Sequence, residues 1–383
     1  MTPLKSVSIE PVTRPGQWRE YHRLCQHLYA TDPAWIEPLH QTMKARWSRK
    51  NPWFESAHGM CWLARCEGEV VGSISAQIDE RLAHSGDGRV GYFGQFECIN
   101  DPRVSRALFD EARRWLLKQG SEWVKGPFDL HINESCGLLV RGFETSPMLM
   151  MPHHRPYYAS LVEDAGLEPE MRLLAYIIEP NFKAPPAMKR LQTRHQDALR
   201  IRPLNVRRYS DEIDLLRALF NDAWRLNWGF VPFSEAEFEA LGKELRPVLN
   251  PRYTSIAMLH DEPVGFLIAL PNINELIKDF KGRLWPTNWM KLLWRLKTSA
   301  ATTARVPLMG VKSQFHGRSM GALIAFSMID AVRWPLHDSG IEQVEMSWIL
   351  ETNSGMNGLI EAMGGDCYKT YQMYRQRLGP GHG

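Results

Sequence analysis

The chain has 383 residues, of which 44% are apolar and 23% are charged, so it is long enough for two ordinary folded domains and excludes a disordered or fibrous protein. Its formal net charge of +3 gives no support to a general nucleic-acid-binding role. No run of about eighteen apolar residues suggests a transmembrane helix, and the first residues lack the apolar stretch of a signal peptide.

Alternating and helical patterns predict a strand, two helices, a hairpin and further alternating elements in the first half of the chain. The predicted ranges are a strand at 7–12, helices at 18–29 and 37–48, a hairpin at 61–79 that turns at Glu67-Gly68, a strand at 90–98, a helix at 104–119, a strand at 123–130, a helix at 157–165 and a strand at 172–178.

The second half repeats this order after a break that is rich in proline. Its predicted ranges are a strand at 199–206, helices at 211–225 and 234–245, a hairpin at 254–270 that turns at Asp261-Glu262, a strand at 306–311, a helix at 322–332, a strand at 343–350, a helix at 355–363 and a strand at 368–376. Ser234 and Glu237 form the pattern of a capping box. We therefore expect a domain at 1–180, a linker at 181–198 and a second domain at 199–378.

The second domain carries an insert at 278–305 with seven basic residues and one acidic residue. A helix there would place Trp285, Trp289, Leu292 and Leu296 on one face with Leu293 beside them, Lys291 and Arg295 on the other, and Pro286 in its first turn. Such a helix either lies on an anionic membrane surface, through residues 283–297, or packs on the protein through its tryptophan face. The clustered charge favours the membrane.

The six cysteines, at 25, 61, 66, 98, 136 and 367, show no metal-ligand or C-x-x-C spacing. Reduced thiols and a cytoplasmic protein are therefore expected, with peripheral contact at the inner membrane surface as a further expectation. His131, His153 and His154 have no carboxylate or cysteine at ligand spacing, so we expect no metal site.

A glycine-containing segment, V-K-S-Q-F-H-G-R-S-M-G-A at 311–322, joins a predicted strand to a predicted helix. Small residues there allow the N–H groups at the helix start to face an anion. Asn353 follows the next strand and precedes another short helix. This order resembles the acyl-CoA-binding half of the GNAT N-acyltransferase superfamily, whose phosphate loop reads Arg or Gln, two residues, Gly, one residue, then Gly or Ala. Here His316 replaces the first residue, Ser319 replaces the first glycine, and Gly321 matches.

The resemblance implies an α/β fold of two tandem GNAT domains, each a mixed, mostly antiparallel sheet flanked by helices. The tandem plan is also similar to that of the peptidoglycan Fem transferases and N-myristoyltransferase. Acyl-CoA would be the co-substrate and an amine the acceptor, without a metal or a nucleic acid. The implied CoA-binding residues are Val311, His316, Gly317, Arg318, Ser319, Met320, Gly321 and Asn353. The first domain has Asp101 where pyrophosphate needs a donor, so it is expected to be a degenerate copy.

Three residues are candidates for acid–base catalysis of N-acyl transfer, which needs a base for the ammonium and an acid for the thiolate. Glu97 lies among aromatic residues that would raise its pKa, and Glu351 lies at a strand end beside Asn353. Tyr371, or Tyr374 on the same strand, would supply the acid. Each also has a structural alternative: helix capping for Glu351, an ion pair for Glu97, and packing for the tyrosines.

The segment at 137–158 is rich in Met and aromatic residues and would line an apolar acceptor or acyl pocket, or form ordinary core. Together with the basic insert it favours a long-chain lipid substrate. Among tandem GNAT proteins, the bacterial ceramide synthase type, which N-acylates a sphingoid base, resembles this combination. Two alternatives remain: a small-molecule N-acetyltransferase, and a non-catalytic acyl-CoA- or lipid-binding protein.

Overall fold

The computed structural model describes residues 6–82, 88–298 and 301–379. It divides into two compact units. The first consists of Met1–Leu173 together with Lys369–Gly383, and the second of Leu174–Tyr368.

The first unit begins with a strand and two helices, followed by three long antiparallel strands. Its elements are β1 (Val7–Pro11), α1 (Pro15–Leu28), α2 (His40–Arg46), β2 (Ala57–Cys66), β3 (Glu69–Asp79), β4 (Val90–Cys98), α3 (Pro102–Lys118), β5 (Trp123–Gly126), β6 (Leu138–Arg141), α4 (Tyr158–Asp164) and the first part of β7 (Glu168–Ile178). Strands β1 to β5 lie in chain order, with every pair antiparallel except β4 and β5. Helix α3 connects that parallel pair, as a crossover requires.

The second unit repeats this arrangement. Its elements are the end of β7, α5 (Pro186–Arg194), β8 (Leu199–Arg202), α6 (Tyr209–Trp224), α7 (Glu235–Leu245), β9 (Thr254–Leu259), β10 (Glu262–Pro271), α8 (Ile273–Ile277), α9 (Asn288–Lys297), β11 (Thr303–Val311), α10 (Ser319–His337), β12 (Gln343–Leu350), α11 (Ser354–Ala362) and the start of β13 (Asp366–Arg377). Strands β8 to β12 follow the order of β1 to β5, and the parallel pair is again the last one. The two halves therefore follow one plan.

Both long hairpins turn through residues with positive φ. Glu67 and Gly68 have φ of 52° and 87°, as a two-residue turn of the type favoured between twisted strands requires. In the second unit the turn is formed by His260 and Asp261, at φ of 49° and 63°. The prediction of Asp261-Glu262 was therefore wrong by one residue.

Three other predicted elements differ from the structure in their bounds or type. The strand predicted at 123–130 ends at Gly126, because Phe128 pairs instead with Cys136 in an isolated bridge. The helix predicted at 37–48 is limited to α2. Helix α5 occupies part of the segment 181–198, and there Lys189 binds Asp330 of α10.

The insert at 278–305 contains α9, and residues 299 and 300 lie outside the described residues. Helix α9 begins at Asn288, so the prediction of Pro286 in its first turn was wrong. The predicted single apolar face is divided as well: Trp285 and Trp289 are exposed, whereas Leu292 and Leu296 are half-buried. No described helix is long and apolar enough to cross a membrane.

The capping box of α7 gives a test of local stability. The Ser234 hydroxyl accepts a hydrogen bond from the Glu237 backbone N–H, and the Glu237 carboxylate accepts one from the Ser234 N–H. Ser234→Ala should lower the free energy of unfolding by about 1 kcal/mol, because one buried donor loses its acceptor. Denaturant titration of the full chain measures this. Ser234→Asp keeps the acceptor and should retain most of the stability; equal losses in both variants would contradict the capping role.

Candidate functional site

The parallel strands of the second unit separate after a short paired stretch. Strands β11 and β12 pair only from Thr303–Gln343 to Val306–Met346, although both continue for several residues. On its other side β11 carries a bulge, where Val306 and Pro307 face Ala269 alone. A bulge tolerates the proline, which has no N–H to donate to a ladder. Backbone groups of the diverging ends are thereby left open on the side where β11 leads into α10.

The N-terminus of α10 has no side-chain cap. The side chain of Arg318, at the capping position, accepts no hydrogen bond from the helix; its backbone carbonyl oxygen accepts from the Gly321 N–H at 3.0 Å and the Ala322 N–H at 3.3 Å. In the first unit the equivalent helix α3 is capped by the Asp101 carboxylate, which accepts from the Arg103 N–H at 2.9 Å. The first N–H groups of a helix lack partners within it, and its dipole favours an anion there. The N-terminus of α10 in the second unit is therefore suited to bind an anion, whereas in the first unit the Asp101 carboxylate already occupies the N-terminus of α3.

The turn before α10 depends on two glycines and one partly buried hydrogen bond. Gly317 has φ of +69°, a conformation that most L-residues avoid. A Cβ on Gly321 would lie 2.2 Å from the Phe315 carbonyl oxygen, so only glycine permits this approach. Asp222 of α6 accepts from the Ser313 N–H at 2.8 Å and fixes the turn. The His316 Nε2 lies 2.8 Å from the Val311 carbonyl oxygen, so this ring contacts the end of β11.

Asn353 and Glu351 follow β12 on the exposed surface. The Asn353 side-chain oxygen accepts from the Met356 N–H at 3.1 Å and so caps α11. The Glu351 side chain is exposed, and its backbone carbonyl oxygen is 3.3 Å from the Asn357 amide nitrogen. CoA binding by Asn353 and base catalysis by Glu351 remain predictions.

Glu97 lies in the first unit, directly after a bulge in β4. Ser75 pairs with Gly94 and Ser73 pairs with Glu97, so Ile74 alone faces two residues of β4. Gln95, at the bulge, has φ of +47°. Parallel pairing of β4 with β5 ends at Tyr92, although the Phe128 N–H still donates to the Phe93 carbonyl oxygen at 2.8 Å; Glu97 lies beyond both contacts. In the second unit the residue that first pairs again after the bulge is Leu308, so that strand carries no carboxylate at the same position.

Two tyrosines hold the half-buried Glu97 carboxyl group. The Tyr158 hydroxyl donates to Oε2 at 2.7 Å. The Tyr29 hydroxyl lies 3.0 Å from the same oxygen and 3.1 Å from the His153 carbonyl oxygen, so its one proton is shared between these two acceptors. Burial raises the pKa of Glu97 to about 7, although both hydroxyls act to lower it. Oε1 receives no hydrogen bond from the described residues and is the oxygen that a substrate proton could reach.

The surroundings fix both tyrosines in place. Tyr29, just after α1, stacks on Trp35 with ring centroids 5.0 Å apart. The Tyr158 hydroxyl also accepts from the Cys98 N–H at 3.2 Å. Neither tyrosine was among the sequence-predicted site residues, because they lie 68 and 61 positions from Glu97 and no short motif joins them.

The three histidines considered as metal ligands have other contacts. His153 Nε2 lies 3.0 Å from Asp32, which also binds Arg155. His154 Nδ1 accepts from the Leu139 N–H at 3.0 Å, and burial lowers its pKa to about 3. His131 Nδ1 accepts from the Asn133 N–H. Within the described ranges no cluster of three or more His, Cys, Asp or Glu is arranged to hold a metal.

Tyr371 and Tyr374 both lie in the part of β13 that belongs to the first unit. Tyr371 is fully buried and faces Leu139 of β6. The Tyr374 hydroxyl contacts the Glu163 carboxylate at 3.1 Å. The structure thus groups Glu97 and Tyr371 in the first unit, and Glu351 and the α10 start in the second; the acid role of Tyr371 remains a prediction.

Similar proteins extend over almost the whole chain. Protein YghO of Escherichia coli K12 is 42% identical over 352 residues, which are 92% of this chain and 90% of that protein. The bacterial ceramide synthase of Caulobacter vibrioides is 39% identical over 375 residues, 97% of this chain and 98% of that protein. No protein-family model matches the chain.

Solved structures resemble the chain in fold. A tandem GNAT protein from the clavulanic acid biosynthesis pathway superposes with a TM-score of 0.57 at 13% identity, covering 98% of this chain and 100% of that one. A GCN5-related N-acetyltransferase from Sphaerobacter thermophilus gives a TM-score of 0.55 at 12% identity and covers 98% and 96%. The predicted fold of two tandem GNAT domains is confirmed.

The raised pKa of Glu97 can be measured by infrared titration of its carboxyl band, identified by its loss in Glu97→Gln. The wild-type band should disappear as pH rises with a midpoint near 7. Tyr29→Phe removes a hydrogen bond that favours the carboxylate, so it should raise the midpoint.

Tyr157→Phe is the matched control, because the Tyr157 hydroxyl donates to the Cys98 carbonyl oxygen and not to Glu97. Its midpoint should equal the wild-type value. A wild-type midpoint near that of an ordinary glutamate, about 4.3, would show that the carboxyl group is not desolvated.

Proposed function

Because the chain belongs to the family of GNAT-fold acyltransferases that includes the bacterial ceramide synthase of Caulobacter vibrioides, we propose that it transfers a long acyl chain from CoA to the amine of a lipid. The proposed acceptor is a sphingoid base, whose N-acylation gives a ceramide. The observation that carries this substrate assignment is the full-length similarity to that enzyme, which is supported by the uncapped start of α10 as a site for CoA.

The CoA pyrophosphate is proposed to bind at the N-terminus of α10. The backbone N–H groups of Ser319 and Met320 would donate to its oxygens, and the exposed Arg318 would add charge. Replacement of the family's glycine by Ser319 is compatible with this role, because the donors are backbone groups. The neighbouring ends of β11 and β12, which no longer pair, would accommodate the pantetheine and its thioester.

Glu97 is the proposed general base. It would take a proton from the ammonium group, and the neutral amine would then attack the thioester carbonyl carbon. The C–N bond forms, the nitrogen of the tetrahedral intermediate loses its second proton to solvent, and the C–S bond breaks to release CoA thiolate, which takes a proton from Tyr371 or from solvent. Two tyrosine hydroxyls on Oε2 would orient the carboxylate, and Oε1 receives no hydrogen bond from the described residues. A base with a pKa near the working pH is well suited to this step.

The exposed tryptophans of the insert and the Met-rich segment support a lipid rather than a small polar amine as acceptor. We also propose that the protein meets this lipid at an anionic membrane surface, through residues 283–297.

Release of free CoA tests the function. Purified protein should release CoA with acyl-CoAs of long chain length and sphinganine, and the N-acyl product should be detected by mass spectrometry. Release with acetyl-CoA and small amines would indicate a small-molecule N-acetyltransferase instead. Binding of acyl-CoA without release against any amine would indicate a binding protein.

The role of Glu97 predicts a pH dependence. A base acts in its deprotonated form, so kcat/KM should rise with pH through a midpoint near 7. Glu97→Gln should lower kcat by about 100-fold or more and abolish that midpoint. Glu351→Gln is the matched comparison on the second predicted base; a large loss in Glu351→Gln with none in Glu97→Gln would transfer the role to Glu351.

Gly321 tests the CoA site. Gly321→Ala should weaken CoA binding by about tenfold or more, because its Cβ would collide with the Phe315 carbonyl oxygen and displace the turn before α10. Isothermal titration calorimetry with CoA measures the effect. Gly358→Ala places the same methyl group in α11 where no atom lies within 4 Å, so its affinity should stay at the wild-type level. Unchanged binding in Gly321→Ala would remove the site from the α10 start.

A further inference from the structure

Helix α9 is held to its own unit by its charged side. Arg295 binds both carboxylate oxygens of Asp279, at 2.6 and 3.1 Å, and Lys291 binds Asp279 as well. Both cations also lie over the Phe280 ring. Hydrogen bonds from Arg295 and Lys291 hold the pKa of Asp279 well below its usual range. Asp279, the only acidic residue of the insert, therefore holds the Lys291 and Arg295 side chains on the side of α9 that faces the protein.

The opposite side of α9 and the residues before it form an exposed apolar surface. Exposed fractions are 65% for Trp285, 36% for Trp289, 51% for Met290, 44% for Leu293 and 65% for Trp294. The rings of Trp285 and Trp289 lie 5.8 Å apart, and the other members follow at helical spacing. We call these five residues the α9 apolar surface. Contiguous exposed apolar residues of this size mark an interaction site rather than ordinary surface.

Exposed cations flank this surface in the sequence. Lys278, Lys281, Arg283 and Lys297 are all exposed, and none of the ion pairs in the described part of the chain includes them. Asp279 is neutralised by its two partners, so no free acidic group of the insert opposes them. The combination of tryptophan at the edge of an apolar surface with unpaired lysine and arginine fits the headgroup region of an anionic bilayer.

We infer that the α9 apolar surface inserts into the interface of an anionic lipid bilayer, and that Asp279 orients α9 by holding its charged side against the protein. This deepens the proposed function and rests on it for its purpose, because a long-chain amine is concentrated in such a bilayer. A membrane is a better partner than a second copy of the chain, because the surrounding cations would repel one another across a symmetric contact.

Vesicle cosedimentation and quenching by brominated lipids test the inference with the full chain and no acyl-CoA or amine. Wild-type protein should bind vesicles of phosphatidylglycerol and phosphatidylcholine. Its affinity should be about tenfold lower for vesicles of phosphatidylcholine alone, or at high salt. The variant Trp285→Ser/Trp289→Ser/Trp294→Ser should bind at least tenfold less and lose the bromine quenching of tryptophan fluorescence. Lys281→Glu/Arg283→Glu should lose the preference for anionic vesicles.

Trp334→Ser is the matched control, because Trp334 is a 48% exposed tryptophan of the same unit on α10. It should bind vesicles as the wild type does, and thermal melting should show that every variant is folded. Equal binding by the triple variant and the wild type would overturn the inference. It would also be overturned if the wild-type protein formed a dimer and did not bind vesicles, and if the triple variant were a monomer. Vesicle binding is measured without substrate, so a failure to release CoA would not change this result. A failure to bind vesicles would likewise leave the CoA-release test of the proposed function intact.

Discussion

The separation of two parallel strands is the constraint on which both units depend. In each unit the ladder between the two parallel strands stops after three or four residues, and the first strand of the pair carries a bulge against its antiparallel neighbour. Within a fully paired sheet, every backbone group would be occupied and side chains would alternate between two covered faces. The divergence leaves an open strand end, and whatever follows the bulge extends into that opening.

The two units have used this opening in different ways. In the second, an uncapped helix follows the strand and Leu308 occupies the position after the bulge. In the first, Asp101 fills the helix start, and Glu97 after the bulge is held by two tyrosines. One copy thus retains the features for binding an anion and the other a carboxyl group with a raised pKa. Duplication of a fold permits this division, because each copy keeps its core while its loops change.

The insert shows how a single charge sets the orientation of a helix. A helical projection of its sequence places lysine and arginine opposite the tryptophans, and such a helix usually buries its apolar side. Asp279 and Phe280 reverse that outcome, because they bind Lys291 and Arg295 and leave the tryptophans outside. The projection placed Trp285 and Trp289 opposite Lys291 and Arg295, but it also put Leu292 and Leu296 with the tryptophans, and the structure leaves these two leucines half-buried. It could not tell which side the protein covers.

The sequence by itself determined the order of the main elements, the two-copy plan and the capping box at Ser234, since these depend on local periodicity and on residues close in the chain. Only the tertiary structure decided that strand 123–130 stops at Gly126, that Tyr29 and Tyr158 meet at Glu97, and that Asn353 caps its own helix. These outcomes depend on strand register and on contacts between residues more than sixty positions apart, or on competition for one hydrogen-bonding group. The spacing of residues along one sequence does not show which distant residues meet, or which partner a hydrogen-bonding group will take.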